Sequence, residues 1–147
     1  MSLKEKLLDD LKEAMKAKDT VRKDTIQLIR SAILQVEKDK HVTLGDDEIT
    51  DILARELKSK REALAEIENS GRADAVEKAK REIEIILGYM PRQLSREELE
   101  SIVKEAIVET GAVTMKDMGK VMKAVMPKVK GRAEGSVVNE IVKGLLG

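Results

Sequence analysis

The chain has 147 residues, its 28 acidic side chains offset 28 basic ones, and 41% of it is apolar. That apolar share excludes disorder throughout, and a chain of this size buries roughly 68–70% of its unfolded surface, enough for a real core. With no cysteine and a single histidine, His41, the sequence also excludes disulfides, thiolate nucleophiles, Cys-based zinc or iron–sulfur sites, His-based triads and two-histidine metal sites.

One tyrosine is the only aromatic residue, and proline occurs only at 91 and 127. A core of Leu, Ile, Val, Met and Ala with so few obligatory breaks points to an all-α protein. Ser2 and Glu5 have capping-box spacing, and Leu3, Leu7, Leu8, Leu11 and Met15 recur at helical intervals, predicting a first helix over 3–17. Asp19 or Thr20 can cap a second helix. It carries Val21, Thr25, Leu28, Ala32 and Val36, with Ile26, Ile29 and Ile33 widening its apolar face toward more than one neighbour. Lys38 to Gly45 reads as a turn, which makes His41 a surface residue. Asp46, Asp47 and Glu48 then open a third helix at the positive end of its dipole. That helix is expected over 46–68. Its seam of Leu53, Leu57, Lys60, Leu64 and Ile67 resembles a coiled coil, with Lys60 snorkelling outward. Asn69, Ser70 and Gly71 end it. A fourth helix carries Val76, Ala79, Ile83, Ile86 and Leu87 and stops before Pro91.

Gly88 to Leu94 is the best boundary in the chain, dividing it into an N-terminal domain over 1–90 and a C-terminal one over 91–147. Tyr89, beside Pro91, reads as an interdomain packing residue. Past the boundary, Ser95 and Glu98 form another capping box, and Leu99, Ile102, Val103, Ala106 and Ile107 line a helix that ends at Gly111. Thr114 can cap a sixth helix ending near Pro127. A seventh, from Glu134 or Gly135 to Leu146, carries Val137, Val138, Ile141, Val142 and Leu145. The expected architecture is four helices, a short joint and three more.

Membrane-spanning and secretory readings find no support. There is no run of about 18 apolar residues, and Met1–Asp10 mixes charge with leucine instead of forming an apolar signal core. The expected location is therefore cytoplasmic. Glu62, Glu66, Asp74 and Glu77 are dispersed carboxylates on solvated faces, and no pair of them forms an acid–base couple. Gly131 and Gly135 match neither phosphate-binding nor dinucleotide-binding glycine patterns. No catalytic residue, metal or cofactor is expected.

Charge, by contrast, is unevenly placed. Residues 112–147 hold seven basic side chains against three acidic ones. Projected at about 100° per residue, Met115, Met118, Met122 and Met126 form one stripe, and Lys116, Lys120 and Lys123 form an adjacent one. The methionines are expected to be core. Gly119 lies beside them, where its missing side chain would let another helix approach in return for a helix-propensity cost of about 1 kcal/mol. Lys128, Lys130 and Arg132 follow in a loop before the last helix, whose free N–H groups favour an anion. A lysine stripe alone is a solvated face. Combined with the basic loop and the helix start, it could cradle a phosphate backbone.

These residues carry a family resemblance. Asp117-Met118-Gly119-Lys120-Val121-Met122, then Met126-Pro127-Lys128-Val129-Lys130-Gly131-Arg132-Ala133 and Val138-Asn139-Glu140-Ile141-Val142, resemble the signature stretch of the YqeY family. Arg55-Glu56-Leu57-Lys58 with Arg61, Ser70-Gly71-Arg72 and the Tyr89-Met90-Pro91-Arg92-Gln93-Leu94 joint resemble its N-terminal half, with Met90 where Leu is usual. The resemblance implies a four-helix N-terminal domain joined to a three-helix C-terminal domain. It also implies kinship of the latter with the tail of GatB, the B subunit of tRNA-dependent amidotransferases. That tail engages tRNA, while amide transfer lies elsewhere. A glutamine-dependent carbon–nitrogen ligase association comes with the family. Where GatB tails carry Gly-Lys-Ala-Asn-Pro, this chain has Gly131-Arg132-Ala133-Glu134-Gly135 and so lacks the Asn cap and the Pro.

The resulting expectation is a non-catalytic protein whose C-terminal domain binds structured RNA, tRNA above all. Lys116, Lys120, Lys123, Lys128, Lys130 and Arg132 would lie on phosphates. The alternative is an adaptor that docks an amidotransferase or synthetase subunit through the third-helix seam or the methionine face.

Overall fold

A computed structural model describes residues 1–147 as seven α-helices without strands: α1 (Leu3–Lys16), α2 (Thr20–Lys40), α3 (Asp46–Ile67), α4 (Ala73–Leu87), α5 (Arg96–Thr110), α6 (Met118–Val129) and α7 (Gly135–Leu146). The fold is all-α. The chain divides into two compact units, Met1–Met90 and Pro91–Gly147.

In the first unit α1 packs on α2 and α3 on α4, while α2 also touches α3 and α4. The starts follow the local signals. The Ser2 hydroxyl accepts from the Glu5 amide at 3.1 Å, and the Asp19 carboxylate accepts from the Arg22 amide at 3.2 Å. Leu7, Ile26, Ile29, Ile49, Leu53 and Ile86 are fully buried in one core. Each such side chain contributes roughly 1.5–3 kcal/mol by leaving water. The broad face of α2 is realised through Thr25, Ile26, Ile29 and Ile33, with the Thr25 hydroxyl satisfied by the Val21 carbonyl at 2.8 Å. Leu28, assigned to that face from the sequence, is 41% exposed.

Two polar residues differ from expectation. Lys60 does not snorkel outward: its ammonium lies 2.6 Å from Glu82 of α4, with both side chains largely covered. The partner is 22 residues away, so helical periodicity could not disclose it. Tyr89 belongs to the core of the first unit, where its hydroxyl donates to Asp10 of α1 at 2.5 Å, which corrects its reading as a packing residue between domains. Burial, then the Asp10 carboxylate, pushes the phenol well above its ordinary range, so it remains a proton donor. The ammonium of Lys6 stands 5.4 Å from the ring centre.

In the second unit α5, α6 and α7 pack on one another around Leu99, Val103, Ala106, Val121, Val125, Val129, Val138, Ile141 and Val142. Ser95 and Glu98 form the expected capping box. Glu98 also takes both guanidinium arms of Arg92, at 3.0 and 2.7 Å, which holds its carboxyl at about 2 against an ordinary 4.5. A folded-state value below the unfolded one contributes stability above about pH 4.5, and that contribution is lost as pH falls toward 2. Arg92→Ala is expected to return the Glu98 carboxyl toward its ordinary value and to flatten the acid dependence of unfolding in that window. Carboxyl-resolved NMR titration of the two proteins checks this. A wild-type Glu98 that titrates near 4.5 contradicts it.

Candidate nucleic-acid interface

The basic stretch occupies α6 and its flanks, and the local structure differs from the simple helix expected there. Thr114 does cap, but it caps a single 3-10 turn, Met115–Asp117, in a reciprocal box with Asp117; the α-helix begins only at Met118. At the other end Pro127 does not stop the helix, which continues to Val129. Proline removes one amide donor and crowds the preceding turn. The full burial of Val129 holds the last turn against that cost.

The face of α6 turned to the core is Val121, Val125 and Val129, spaced four apart and all fully buried. The methionine stripe lies beside this face. Met118 and Met122 are half-buried against the core, while Met115 and Met126 are 42% and 37% exposed. The expectation that the methionines form the core thus holds in part for Met118 and Met122, which pack against it, and is corrected for Met115 and Met126. Two adjacent apolar stripes were available, and α5 and α7 cover the valine one. Gly119 also departs from expectation. A side chain there would meet nothing within 4 Å, so no helix of the chain uses the gap.

The six candidate cations fall into two groups. Lys116, Lys120 and Lys123 are exposed on the surface of the 3-10 turn and α6, and α6 itself contains no carboxylate. Asp117, at the start, is held below the usual carboxylate range first by the amides of Val113 and Thr114, with a further contribution from the charge of Lys120. Lys128, in contrast, reaches Glu109 of α5 at 3.4 Å. Arg132 is half-buried and donates from Nε to the Arg92 carbonyl at 3.3 Å. Lys130 is exposed and caps the end of α6.

The loop after α6 has a structural task that the sequence did not disclose. Gly131 adopts φ +72°, which favours glycine, and its carbonyl accepts from the Gln93 side chain at 2.8 Å. The Leu94 amide donates to the Arg132 carbonyl at 2.8 Å. Pro91–Leu94 is thus fastened to the loop between α6 and α7, and Arg132 is part of the fastening. The start of α7 is likewise less open to an anion than expected. Glu134 is its N-cap, without a side-chain bond to the helix amides, and brings a negative charge close to that end.

Chemistry of other kinds finds little here. No group of three or more His, Asp or Glu side chains is arranged to hold a metal ion. No helix is long and apolar enough to cross a membrane. The depression at the turn between α3 and α4, lined by Glu68, Arg72, Glu77 and Lys80 among others, brings no acid–base pair into apolar surroundings. His41 ends α2 in a left-handed conformation on the surface.

The sequence model of a family described as "Yqey-like protein" matches residues 4–146. Among curated proteins the chain is 30% identical over 135 residues to "Altered inheritance of mitochondria protein 41, mitochondrial" of Pyrenophora tritici-repentis, covering 89% of this chain and 73% of that protein. It is 35% identical over 106 residues to the protein of the same name from Kluyveromyces lactis, covering 70% of this chain and 57% of the relative. A third, from Lachancea thermotolerans, is 35% identical over 85 residues, or 57% of this chain and 46% of the relative. All three are named as mitochondrial proteins, which corrects the cytoplasmic location expected from the sequence. That expectation rested on the lack of a membrane-spanning run and of a secretory core, and neither separates the cytosol from a mitochondrial compartment.

Proposed function

The chain belongs to the YqeY family, and from that membership together with the charge of α6 we propose that it is a non-catalytic helical protein that binds structured RNA, with tRNA as the first candidate. The observation that carries the reading is the exposed trio Lys116, Lys120 and Lys123 beside a helix that contains no acidic residue. Three ammonium groups on neighbouring turns suit a phosphate backbone, which carries affinity without base identity. With its one aromatic ring buried at Tyr89, the protein offers no platform on which unpaired bases could stack. Recognition then rests on duplex shape and backbone.

Kinship with the GatB tail belongs to the same proposal. On it, the three-helix unit holds RNA while any amide-transfer chemistry resides in a partner. The test is titration of a tRNA transcript by fluorescence anisotropy at two salt concentrations, with wild type and a Lys116→Glu, Lys120→Glu, Lys123→Glu variant. Equal affinities for the two proteins would remove the basis of the proposal.

A further inference from the structure

The methionine stripe and Gly119 remain unused by the RNA reading, and they lie together with an unsatisfied polar atom. A side chain at Gly135, the first residue of α7, would come within 3.8 Å of the Met126 methyl, and one at Gly147 within 4.0 Å of the Met115 sulfur. The stripe therefore runs along α7 from its start to its end. Asn139 follows Gly135 by four residues and precedes Leu146 by seven, so it lies on the face of α7 turned to the methionines. Its Oδ1 is buried and accepts no hydrogen bond, a cost that a donor would relieve.

The surface between α6 and α7 thus has a methionine floor, exposed at Met115 and Met126. Its α6 border is Lys116, Lys120 and Lys123, with Gly119 leaving open space between lysines and methionines. On α7, Lys143 follows Asn139 by four residues and is exposed. Methionine is flexible and polarizable, suited to moulding around an apolar helix face. Cationic borders select the sign of that helix's flanks. We propose that this surface docks an acidic amphipathic helix of a partner protein, its apolar stripe on the exposed Met115 and Met126 and its carboxylates on the bordering lysines. Gly119 lets the partner's backbone approach closely, which gives the helix-weakening glycine a return that no contact within the chain supplies. The occupant is set by charge: a basic helix would meet like charge along the lysine border.

The test uses the full chain labelled at its methionine methyls and two synthetic amphipathic peptides of about five helical turns. One flanks its leucine stripe with Glu, the other with Lys. The Glu peptide is expected to shift the methyls of Met115, Met118, Met122 and Met126 while Met1, Met15 and Met90 stay in place, and the Lys peptide to bind at least about tenfold more weakly. Gly119→Gln puts a helix-favouring side chain into open space, so the protein stays folded, and it is expected to weaken the Glu peptide about tenfold by obstructing the approach. Equal binding of the two peptides, or methyl shifts spread over all seven methionines, overturns the inference. So does movement of these four methyls on raising protein concentration alone, which would make a second copy the occupant, or on adding tRNA but not peptide. Peptide failure with intact, lysine-dependent tRNA binding overturns this inference and leaves the RNA proposal standing; the converse outcome does the opposite.

Discussion

Replacing Lys116, Lys120 and Lys123 together with Glu is expected to take RNA binding at 50 mM salt below detection. Each phosphate neutralised by a lysine releases condensed counterions, and three such contacts give a slope of log affinity against log salt of about −2.7, or roughly 40-fold between 50 and 200 mM. Six contacts would give a slope of about −5.4 and a loss of roughly 1,800-fold over the same range. The structure lies nearer the smaller figure, because Lys128 is drawn to Glu109 and Arg132 serves the Arg92 carbonyl, which leaves four of the six cations at most. Wild-type titrations at several salt concentrations distinguish the two slopes. A slope near six contacts would mean that Lys128 and Arg132 leave their partners when RNA arrives, and an unchanged affinity in the variant would mean that RNA binds elsewhere.

The second large effect concerns the scaffold. Leu53→Ala is expected to destabilise the first unit by about 2–5 kcal/mol, a large part of the roughly 5–15 kcal/mol that ordinary domains possess. Leu53 is fully buried on α3 in the cluster that includes Ile26, Ile29, Ile49 and Ile86, and a methyl in its place leaves a cavity those neighbours cannot close. Met126→Ala is the contrasting case. Its side chain is 37% exposed at the rim of the other unit, and its truncation is expected to cost no more than about 1 kcal/mol. Urea denaturation of the three proteins measures both differences. A Leu53→Ala cost below about 1 kcal/mol would contradict the core described for α1 to α4.

Local signals in the chain foretold local structure well. Ser2 and Ser95 cap the helices they were expected to cap, Asp19 is the one of the two candidates that caps α2, and the breaks at Asn69–Gly71 and before Pro91 fall where backbone chemistry requires them. What was not legible depends on partners distant in sequence. Lys60 meets Glu82, Tyr89 meets Asp10 79 residues away, and Arg132 meets Arg92 40 residues away. No periodicity within one helix encodes such pairs. The choice between the valine and methionine stripes of α6 has the same origin. Both are apolar and adjacent, and only the packing of α5 and α7 decides which is covered. Pro127 illustrates a tertiary override, since the burial of Val129 extends a helix that propensity alone would end.

The candidate interface was legible as a composition and less so as a geometry. The sequence concentrates cations late in the chain, but counting them could not reveal that the α6–α7 loop binds Gln93 and Leu94. Lys120 and Lys123 lie on α6, which carries no carboxylate, and Lys116 lies in the 3-10 turn just before it, beside Asp117. That feature was visible in the sequence beforehand.

The most direct measurement is a backbone-amide NMR footprint of the full chain on stepwise addition of a tRNA transcript at low salt. The account predicts shifts and broadening centred on Lys116, Lys120 and Lys123 that reverse when salt is raised. Perturbations confined to α1 to α5, or none at all, would contradict it.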